Sequence, residues 1–265
     1  GILLDSQSCY DVFYYDLSLD VSPSEKEING EILMFASLVE ESRTIAIHLD
    51  TVFLIDRVLA GSQIDALEET PYDNKDGLII IPLPASIVEG SSFVTKVIWH
   101  GRPRSGPYGT FDNFIWDTSA NGSPWIGVSC EAFGSDLWWP CKDHPSDRAD
   151  SMDIRITIPS GLKAISNGKL IGIQDSAGNK NAWHWHVSYP ISNYCVSLNI
   201  ADYISICGDY KSLDGKTHNI CFYALPENQH KADSVFPEFL QHMRFMEDLA
   251  GPYPFWNDKY AIAEV

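Results

Sequence analysis

Apolar and polar residues alternate along most of the first 100 residues, which is the period of a β-strand with one buried face. Residues 10–21 show the pattern clearly, and residues 28–38 repeat it after a polar turn with the sequence SPSEKE. We therefore predict that these two segments pair as a hairpin. The expected apolar side of the first strand consists of Phe13, Tyr15, Leu17 and Leu19.

Shorter segments with strand character follow, separated by turn clusters such as DNKDG and EGSS. Turns at such short intervals leave no room for helices between the strands, so the pattern predicts a mainly β fold, an antiparallel β-sandwich or saddle, rather than βαβ units. The predicted strands are residues 44–49, 54–59, 78–81, 93–100 and 152–159.

The last 60 residues have a different pattern. Residues 203–207 and 219–225 are predicted strands joined by the turn SLDGK, residues 234–250 a helix, and residues 259–265 the start of another strand. Ser234 is the expected N-cap of the helix, which would place Pro237 in the first turn, where its missing N–H costs nothing. The expected buried stripe of this helix is Phe236, Leu240, Met243, Met246 and Ala250.

Residues 128–150, VSCEAFGSDLWWPCKDHPSDRAD, form the most irregular stretch of the chain and are predicted to be a loop held between sheets. Such loops commonly carry binding groups. Trp138 and Trp139 are expected to point to opposite sides of an extended segment, one into the core and one toward a neighbour. Asp143 to Arg148 reads as a structural turn, whose carboxylates pair with Arg148 or cap backbone donors. A general-base pair of Asp143 with His144 is disfavoured because no nucleophile at a recognised spacing accompanies it.

Glu131 differs from the other carboxylates of this stretch. Its neighbours are Cys130, Ala132 and Phe133, and no basic residue lies within four positions of it. A carboxylate in such surroundings is either turned to solvent or kept ionised to meet a cation.

Composition and charge narrow the possible partners. The chain has 265 residues, 45% of them hydrophobic, which excludes a disordered chain. Its formal net charge of -18 argues against nucleic acid or an anionic membrane as partner, because both require a basic surface. No apolar run reaches 18 residues, so no membrane insertion is expected.

The spacing of the cysteines and histidines does not predict a metal site. The six cysteines contain no C-x-x-C pair, so buried free thiols are expected; one disulfide remains open, and with it the redox compartment. His184 and His186 lie on one face of a predicted strand and could bind a metal. Because no third ligand is evident nearby, a solvated strand face is the preferred interpretation.

Two motifs within residues 129–149 together carry a family resemblance. The first has Ser129, Cys130, Glu131 and Ala132, and the second has Trp139, Pro140, Cys141, Asp143, Pro145, Arg148 and Ala149. In this order and spacing they resemble Q-x-E-A and F-P-C-x-D-x-P-x-x-[KR]-A, the signature of the N-terminal domain of the zinc aminopeptidases that include aminopeptidase N and leukotriene hydrolase.

The resemblance implies an organisation in two parts. Residues 1–201 would form the β-saddle N-terminal domain of that family. Residues 202–265 would form the leading edge of an α/β thermolysin-like catalytic domain, since residues 247–265 are similar to its start.

The resemblance also implies a function: release of N-terminal residues from peptides bound through their free N-terminus. In the family, the Q-x-E-A carboxylate anchors the substrate ammonium, and Glu131 matches it. Ser129 and Ala132 are weaker substrate-binding candidates, and Ser129 departs from the usual Gln, which puts the side-chain preference in doubt. Residues 101–113 are expected to form a long hairpin loop. They resemble a family region that leads toward the active-site loop, so the resemblance implies that Tyr108 helps to shape the cleft, without a substrate contact assigned to it.

The substrate-binding strand motif and the zinc-binding helix motif of the family's catalytic domain do not occur in this sequence. It has neither G-x-M-E-N nor H-E-x-x-H, so no catalytic residue and no metal ligand is expected in this chain. The resemblance implies that the zinc ligands follow Val265, that the rest of the catalytic domain is a partner of this chain, and that this chain alone is inactive.

Two alternatives come from other classes of protein. One is a non-catalytic β-sandwich that binds carbohydrate or protein, with Trp138, Trp139, Trp183 and Trp185 as stacking platforms. Exposed tryptophans would support this alternative and buried ones would contradict it. The other is an acidic domain that binds Ca²⁺, which is disfavoured because the chain has no D-x-D-x-D-G loop.

Overall fold

The computed structural model describes residues 2–106, 113–131 and 134–265. As the alternation predicts, these residues lie mainly in β-strands. The strands are β1 (Tyr10–Ser22), β2 (Glu27–Leu38), β3 (Thr44–His48), β4 (Phe53–Gly61), β5 (Glu68–Glu69), β6 (Asp73–Lys75), β7 (Leu78–Pro82), β8 (Ser92–Gly101), β9 (Asn113–Thr118), β10 (Pro124–Ser129), β11 (Arg148–Ala149), β12 (Ser151–Pro159), β13 (Lys163–Ile165), β14 (Lys169–Ser176), β15 (Lys180–Val187), β16 (Ile191–Ser192), β17 (Asn199–Ala201), β18 (Ile204–Lys211), β19 (Thr217–Ala224) and β20 (Tyr260–Ala263).

The α-helices of the described residues are α1 (Asp5–Ser8) and α2 (Gln229–Ala250). Four short 3₁₀ turns complete the secondary structure, at Ile64–Ala66, Ser135–Leu137, Asn193–Cys195 and Pro226–Asn228. None of the helices in the described part of the chain is both long and apolar enough to span a bilayer.

An eight-stranded sheet forms the framework, in the order β14-β15-β12-β1-β2-β8-β4-β5. The predicted hairpin is confirmed, because β1 pairs antiparallel with β2. The sheet is not wholly antiparallel, however: β1 pairs parallel with β12, from Tyr14 opposite Ser151 to Asp20 opposite Thr157. A smaller sheet, β13-β17-β10-β9, carries the strand that leads into the irregular stretch.

A bulge changes the buried face of β1. The register against β2 shifts between Val12 and Tyr14. Tyr10 and Val12 are buried before the shift, and Tyr15, Leu17 and Leu19 after it. Phe13 is therefore only half-buried, and its predicted place on the apolar face is wrong, because the bulge inserts one residue into the two-residue period.

Large side chains from both sheets and from the irregular stretch fill one core, which includes Trp99, Trp138, Trp139 and Trp185. One close approach in it requires glycine. A Cβ placed on Gly30 would lie 2.2 Å from the Trp99 ring, because the indole packs directly on the β2 backbone. Alternation thus predicts the buried strand faces, and glycine at position 30 allows the largest residue to pack between them.

Helix α2 begins five residues earlier than predicted, and Ser234 is not its N-cap. The Ser234 hydroxyl donates instead to the carbonyl of Lys231, one turn back, at 2.7 Å. Pro237 lies inside the helix, which extends past it in both directions. The predicted place of Pro237 in the first turn is therefore wrong as well, because a single missing N–H did not end the helix.

The predicted buried stripe of α2 is correct for Phe236 and Met243 but wrong at its end. Met246 is 57% exposed, whereas Glu247, next to it, is 2% exposed. Phe236 and Met243 pack on β18 and β19 in a second apolar cluster. These two strands and β20 form a three-stranded sheet.

Several contacts join this last segment to the saddle. The Lys259 ammonium donates to the carbonyls of Ser166 and Gly168, at 2.5 Å each. It also lies 4.1 Å from the centre of the Trp185 ring. The domain boundary near residue 201 stays a prediction.

The cysteines differ in part from the expectation of buried free thiols. Cys207 and Cys221 face each other across β18 and β19 and form a disulfide. Cys9, Cys130 and Cys141 are buried free thiols, as expected, whereas Cys195 is exposed.

Candidate functional site

A cavity of about 610 Å³ opens beside the irregular stretch. It collects residues from four separate parts of the chain: its beginning, the end of β3, the irregular stretch and the 3₁₀ turn at Asn193–Cys195. Its lining consists of Ile2, Leu4, Gln7, His48, Glu131, Gly134, Asp136, Asp143, His144, Pro145, Asn193 and Tyr194. Among these described residues there are three carboxylates and no lysine or arginine.

Buried aromatic side chains hold the irregular stretch against the sheet. Trp138 and Trp139 are both fully buried, within a turn rather than an extended segment, so the expectation that they point to opposite sides is wrong. Trp139 meets Tyr15 edge to face, with 5.2 Å between ring centres. Just beyond them, Cys141 pairs with His48 of β3 through two backbone hydrogen bonds.

A buried ion pair fixes the second half of the stretch. The Lys142 ammonium lies 2.8 Å from Asp147 Oδ2, and each side chain is 6% exposed. The ammonium also donates to the carbonyl of Tyr10. The prediction that these carboxylates pair with Arg148 is therefore wrong for Asp147, since Lys142 reaches it from inside the fold. The alternative role, capping of a backbone donor, holds for Asp143, which accepts the N–H of Ser135.

Glu131 lies two residues after the end of β10, exposed, on the wall of the cavity. Ser129 is the last residue of β10, where it pairs with Asn113, and it is not among the residues that line the cavity. Ala132 and Tyr108 lie outside the described residues. Of the three predicted substrate-binding residues, the structure thus brings Glu131 to the cavity.

Asp136 is a cavity residue that the sequence did not single out. Burial, together with repulsion from Asp143 and Asp50, raises the pKa of Asp136 to about 7. Asp50 has its own cationic partner, because Arg104 Nε lies 2.7 Å from its carboxylate. In the sequence, only the position of Asp136 within the irregular stretch pointed to a functional role. Its perturbed pKa could not be predicted, because the fold brings Asp50 and Asp143 close to it.

The two histidines of the cavity have different surroundings. His48 Nδ1 lies 3.2 Å from the Gln7 amide nitrogen. Burial lowers the pKa of His48, and Asp143 opposes the shift. His144 Nδ1 lies 2.7 Å from the Ser146 hydroxyl within the turn. Within the part of the chain that the structure describes, His48 forms no ion pair with a carboxylate.

His184 and His186 lie on β15 and do not line this cavity. Their ring nitrogens lie 2.7 and 3.2 Å from the same oxygen of Asp153 on β12. Burial acts to raise the pKa of Asp153, but hydrogen bonds from Tyr14, His184 and His186 outweigh it and lower the pKa. The solvated strand face expected here is thus a hydrogen-bonded cluster, because β12 adds an acceptor.

The described residues contain no group of three or more His, Cys, Asp or Glu side chains arranged to hold a metal ion. The tryptophans proposed as carbohydrate platforms are buried, with exposures between 0 and 9%. Buried indoles cannot stack on a sugar, so the alternative that depended on them is contradicted.

A second cavity, of about 470 Å³, lies where the segment after α2 meets the saddle. Lys259 is on its wall, and burial lowers the pKa of that ammonium to about 7. Its donors are already directed at the carbonyls of Ser166 and Gly168. We therefore place the candidate site at the first cavity, where the carboxylates face open space.

Comparison with known proteins identifies the family of the larger part of the chain. Residues 12–195 match the family model of the Peptidase M1 N-terminal domain. A search of curated proteins found no match.

Among solved structures, the fold is similar to that of an M1 zinc metallopeptidase from Deinococcus radiodurans, with a TM-score of 0.75 and 21% sequence identity. A mutant of that enzyme bound to a Tyr-Ser-Ala substrate gives the same values. A two-domain M1 zinc metallopeptidase mutant bound to L-tryptophan is 22% identical, again with a TM-score of 0.75. The match covers 96% of this chain and 56% of each of those chains, so this chain spans little more than half of their length.

Proposed function

Because this chain belongs to the family of M1 peptidase N-terminal domains, we propose that it is part of a zinc aminopeptidase that releases N-terminal residues from peptides. The family match and the fold support the peptidase class. The proposal assigns recognition of the peptide N-terminus to the cavity beside the irregular stretch.

Within that cavity, Glu131 is proposed to bind the α-ammonium of the substrate. The single observation that carries this role is its placement: an exposed carboxylate on the wall of a cavity whose described lining includes no lysine or arginine. A carboxylate in this position is free to form a charge-assisted hydrogen bond with an incoming ammonium. Binding there would fix the first residue of the peptide and thereby the position of the scissile bond.

The residues described here do not fit a catalytic zinc site. In this family's chemistry, zinc polarises the scissile carbonyl and lowers the pKa of a bound water. We propose that the ligands for that ion come from a part of the polypeptide that this chain does not include, and that this chain alone has no peptidase activity. Its own contribution is the scaffold and the ammonium site.

Glu131→Ala in the full-length polypeptide tests the proposal. A charge-assisted contact contributes roughly 1.5 to 3 kcal/mol, so kcat/KM for peptides with a free N-terminus should fall about 10- to 150-fold. Glu131→Gln should give an intermediate loss, since it keeps the acceptor and loses the charge. N-acetylated peptides, which lack the ammonium, should be poor substrates of the wild type and lose little more in the variant.

Glu25→Ala is the matched control, because Glu25 is exposed in the turn between β1 and β2. It should leave the kinetics unchanged. If Glu131→Ala preserves the kinetics but lowers the melting temperature by several degrees, Glu131 is a structural residue and the proposed role is wrong.

A further inference from the structure

Asp136 shares the cavity of Glu131 but has a different environment. It is half-buried, whereas Glu131 is exposed. It lies near Asp143 and Asp50. Asp50 is paired with Arg104, and Asp143 accepts the Ser135 N–H. Asp136 forms no ion pair with any lysine or arginine in the described part of the chain.

Glycine at position 134 leaves space between two of these carboxylates. A Cβ at Gly134 would lie 2.0 Å from Asp143 Oδ2 and 2.9 Å from Asp136 Oδ1. Oxygens of both side chains therefore flank one point beside the Gly134 backbone. The φ of Gly134 is +106°, which other residues rarely adopt. Both this backbone conformation and the lack of space for a Cβ require glycine at this position.

The cavity wall combines the carboxylates of Asp136 and Asp143 with apolar surface. Leu4, Pro145 and the ring of Tyr194 line the same cavity. Lysine and arginine side chains have matching properties, since an aliphatic stem packs on apolar surface while the charged head reaches a polar group.

We propose that this cavity selects peptides whose first residue has a cationic side chain, arginine or lysine, and that Asp136 is the residue that determines this preference. The inference rests on the proposed function, in which Glu131 holds the α-ammonium of the same residue. Asp136 then binds the side-chain cation, and the apolar wall packs against the stem between the two charges.

Electrostatics favours a cationic over a neutral side chain beside Asp136. Like-charge repulsion and burial raise the pKa of Asp136 to about 7. A cation at this point would counteract both effects, because its attraction stabilises the ionised carboxylate. Citrulline has nearly the shape of arginine without its charge, so it would not provide this stabilisation.

The test compares peptides that differ only at the first residue, arginine or citrulline, with the full-length polypeptide. A half-buried ion pair of this kind should favour arginine by about 5- to 20-fold in kcat/KM. Asp136→Asn, which keeps the size of the side chain, should bring the arginine-to-citrulline ratio close to one. Asp65→Asn is the matched control, because Asp65 is exposed in the turn between β4 and β5 and does not line the cavity. It should leave the ratio unchanged.

The outcomes separate this inference from the function on which it rests. If both peptides are cleaved equally by the wild type, or if Asp136→Asn keeps the arginine preference, the inference is overturned and the proposed function stands. If neither peptide is cleaved, both are wrong. Calorimetric titration of the 265-residue chain with argininamide, citrullinamide and calcium chloride adds a readout independent of activity. Binding of calcium without discrimination between the two amides would also overturn it.

Discussion

Glu247 shows how strongly the environment of one residue sets its behaviour. It accepts hydrogen bonds from the hydroxyls of Tyr210 and Ser212 and from the backbone N–H groups of Leu213 and Tyr253. Burial acts to raise the pKa of Glu247, but these bonds outweigh it and lower the pKa to about 2. A carboxylate on the helix thereby ties α2 to the β18–β19 turn and to the segment that follows the helix.

We predict that Glu247→Gln lowers the free energy of unfolding at neutral pH by about 3 kcal/mol, because it replaces an acceptor of four hydrogen bonds. Since the folded-state pKa lies below the ordinary value of 4.5, this contribution is complete above pH 4.5 and is lost as the pH falls to about 2. Denaturant unfolding between pH 2 and 7 measures it.

The wild-type unfolding free energy should decline more steeply with acid than that of the variant. Glu238→Gln is the control, because Glu238 is exposed on the same helix. Parallel pH profiles for wild type and Glu247→Gln would show that the carboxylate contributes nothing through its ionised form.

At the scale of elements, the irregular stretch is held by polar contacts as well as by its tryptophans. The Lys142–Asp147 pair lies beneath the turn, and the Lys142 carbonyl accepts a hydrogen bond from the Asn193 side chain. The Lys142 N–H donates to the Tyr15 hydroxyl. These contacts join the stretch to β1 and to the 3₁₀ turn at Asn193–Cys195, two residues of which also line the cavity.

We predict that Lys142→Met lowers the free energy of unfolding by about 3 to 5 kcal/mol, because it leaves the Asp147 carboxylate buried without its cation. Replacing both partners, as Lys142→Met with Asp147→Leu, should recover most of this loss, since no charge then remains buried. Urea denaturation of the wild type, both single variants and the double variant measures the coupling. Additive losses in the double variant would contradict the role of the pair.

At the scale of the whole molecule, the saddle and the helix-containing segment meet without enclosing a metal site in the described residues. We predict that the 265-residue chain, equilibrated with zinc and then freed of excess ion, holds no stoichiometric zinc. It should also hydrolyse no aminoacyl anilide, because the sequence lacks H-E-x-x-H. Elemental analysis and a chromogenic assay measure the two outcomes. One zinc per chain with chelator-sensitive hydrolysis would overturn the expectation.

Much of the local structure was accessible from the sequence, because strand alternation and turn chemistry act between neighbours. The β1–β2 hairpin and the position of β12 follow from the two-residue period. The bulge at Val12 to Tyr14 does not, since a single inserted residue leaves composition unchanged while it switches the buried face. The sequence predicted that Met246 is buried, whereas Glu247 is buried instead. The cause is similar, because most hydrogen-bond partners of Glu247 come from another segment of the chain.

The sequence by itself determined the β-rich class, the family signature around Glu131, and the absence of H-E-x-x-H. Each of these depends on the identity and spacing of nearby residues. Only the tertiary structure decided that β1 pairs in parallel with β12, that both Trp138 and Trp139 are buried, and that Glu131, Asp136 and Asp143 face one cavity. The reason is that these outcomes depend on contacts between segments up to about 140 residues apart in the chain, as between Tyr14 and Ser151. Alternation specifies which face of a strand is buried, but not which strand lies beside it.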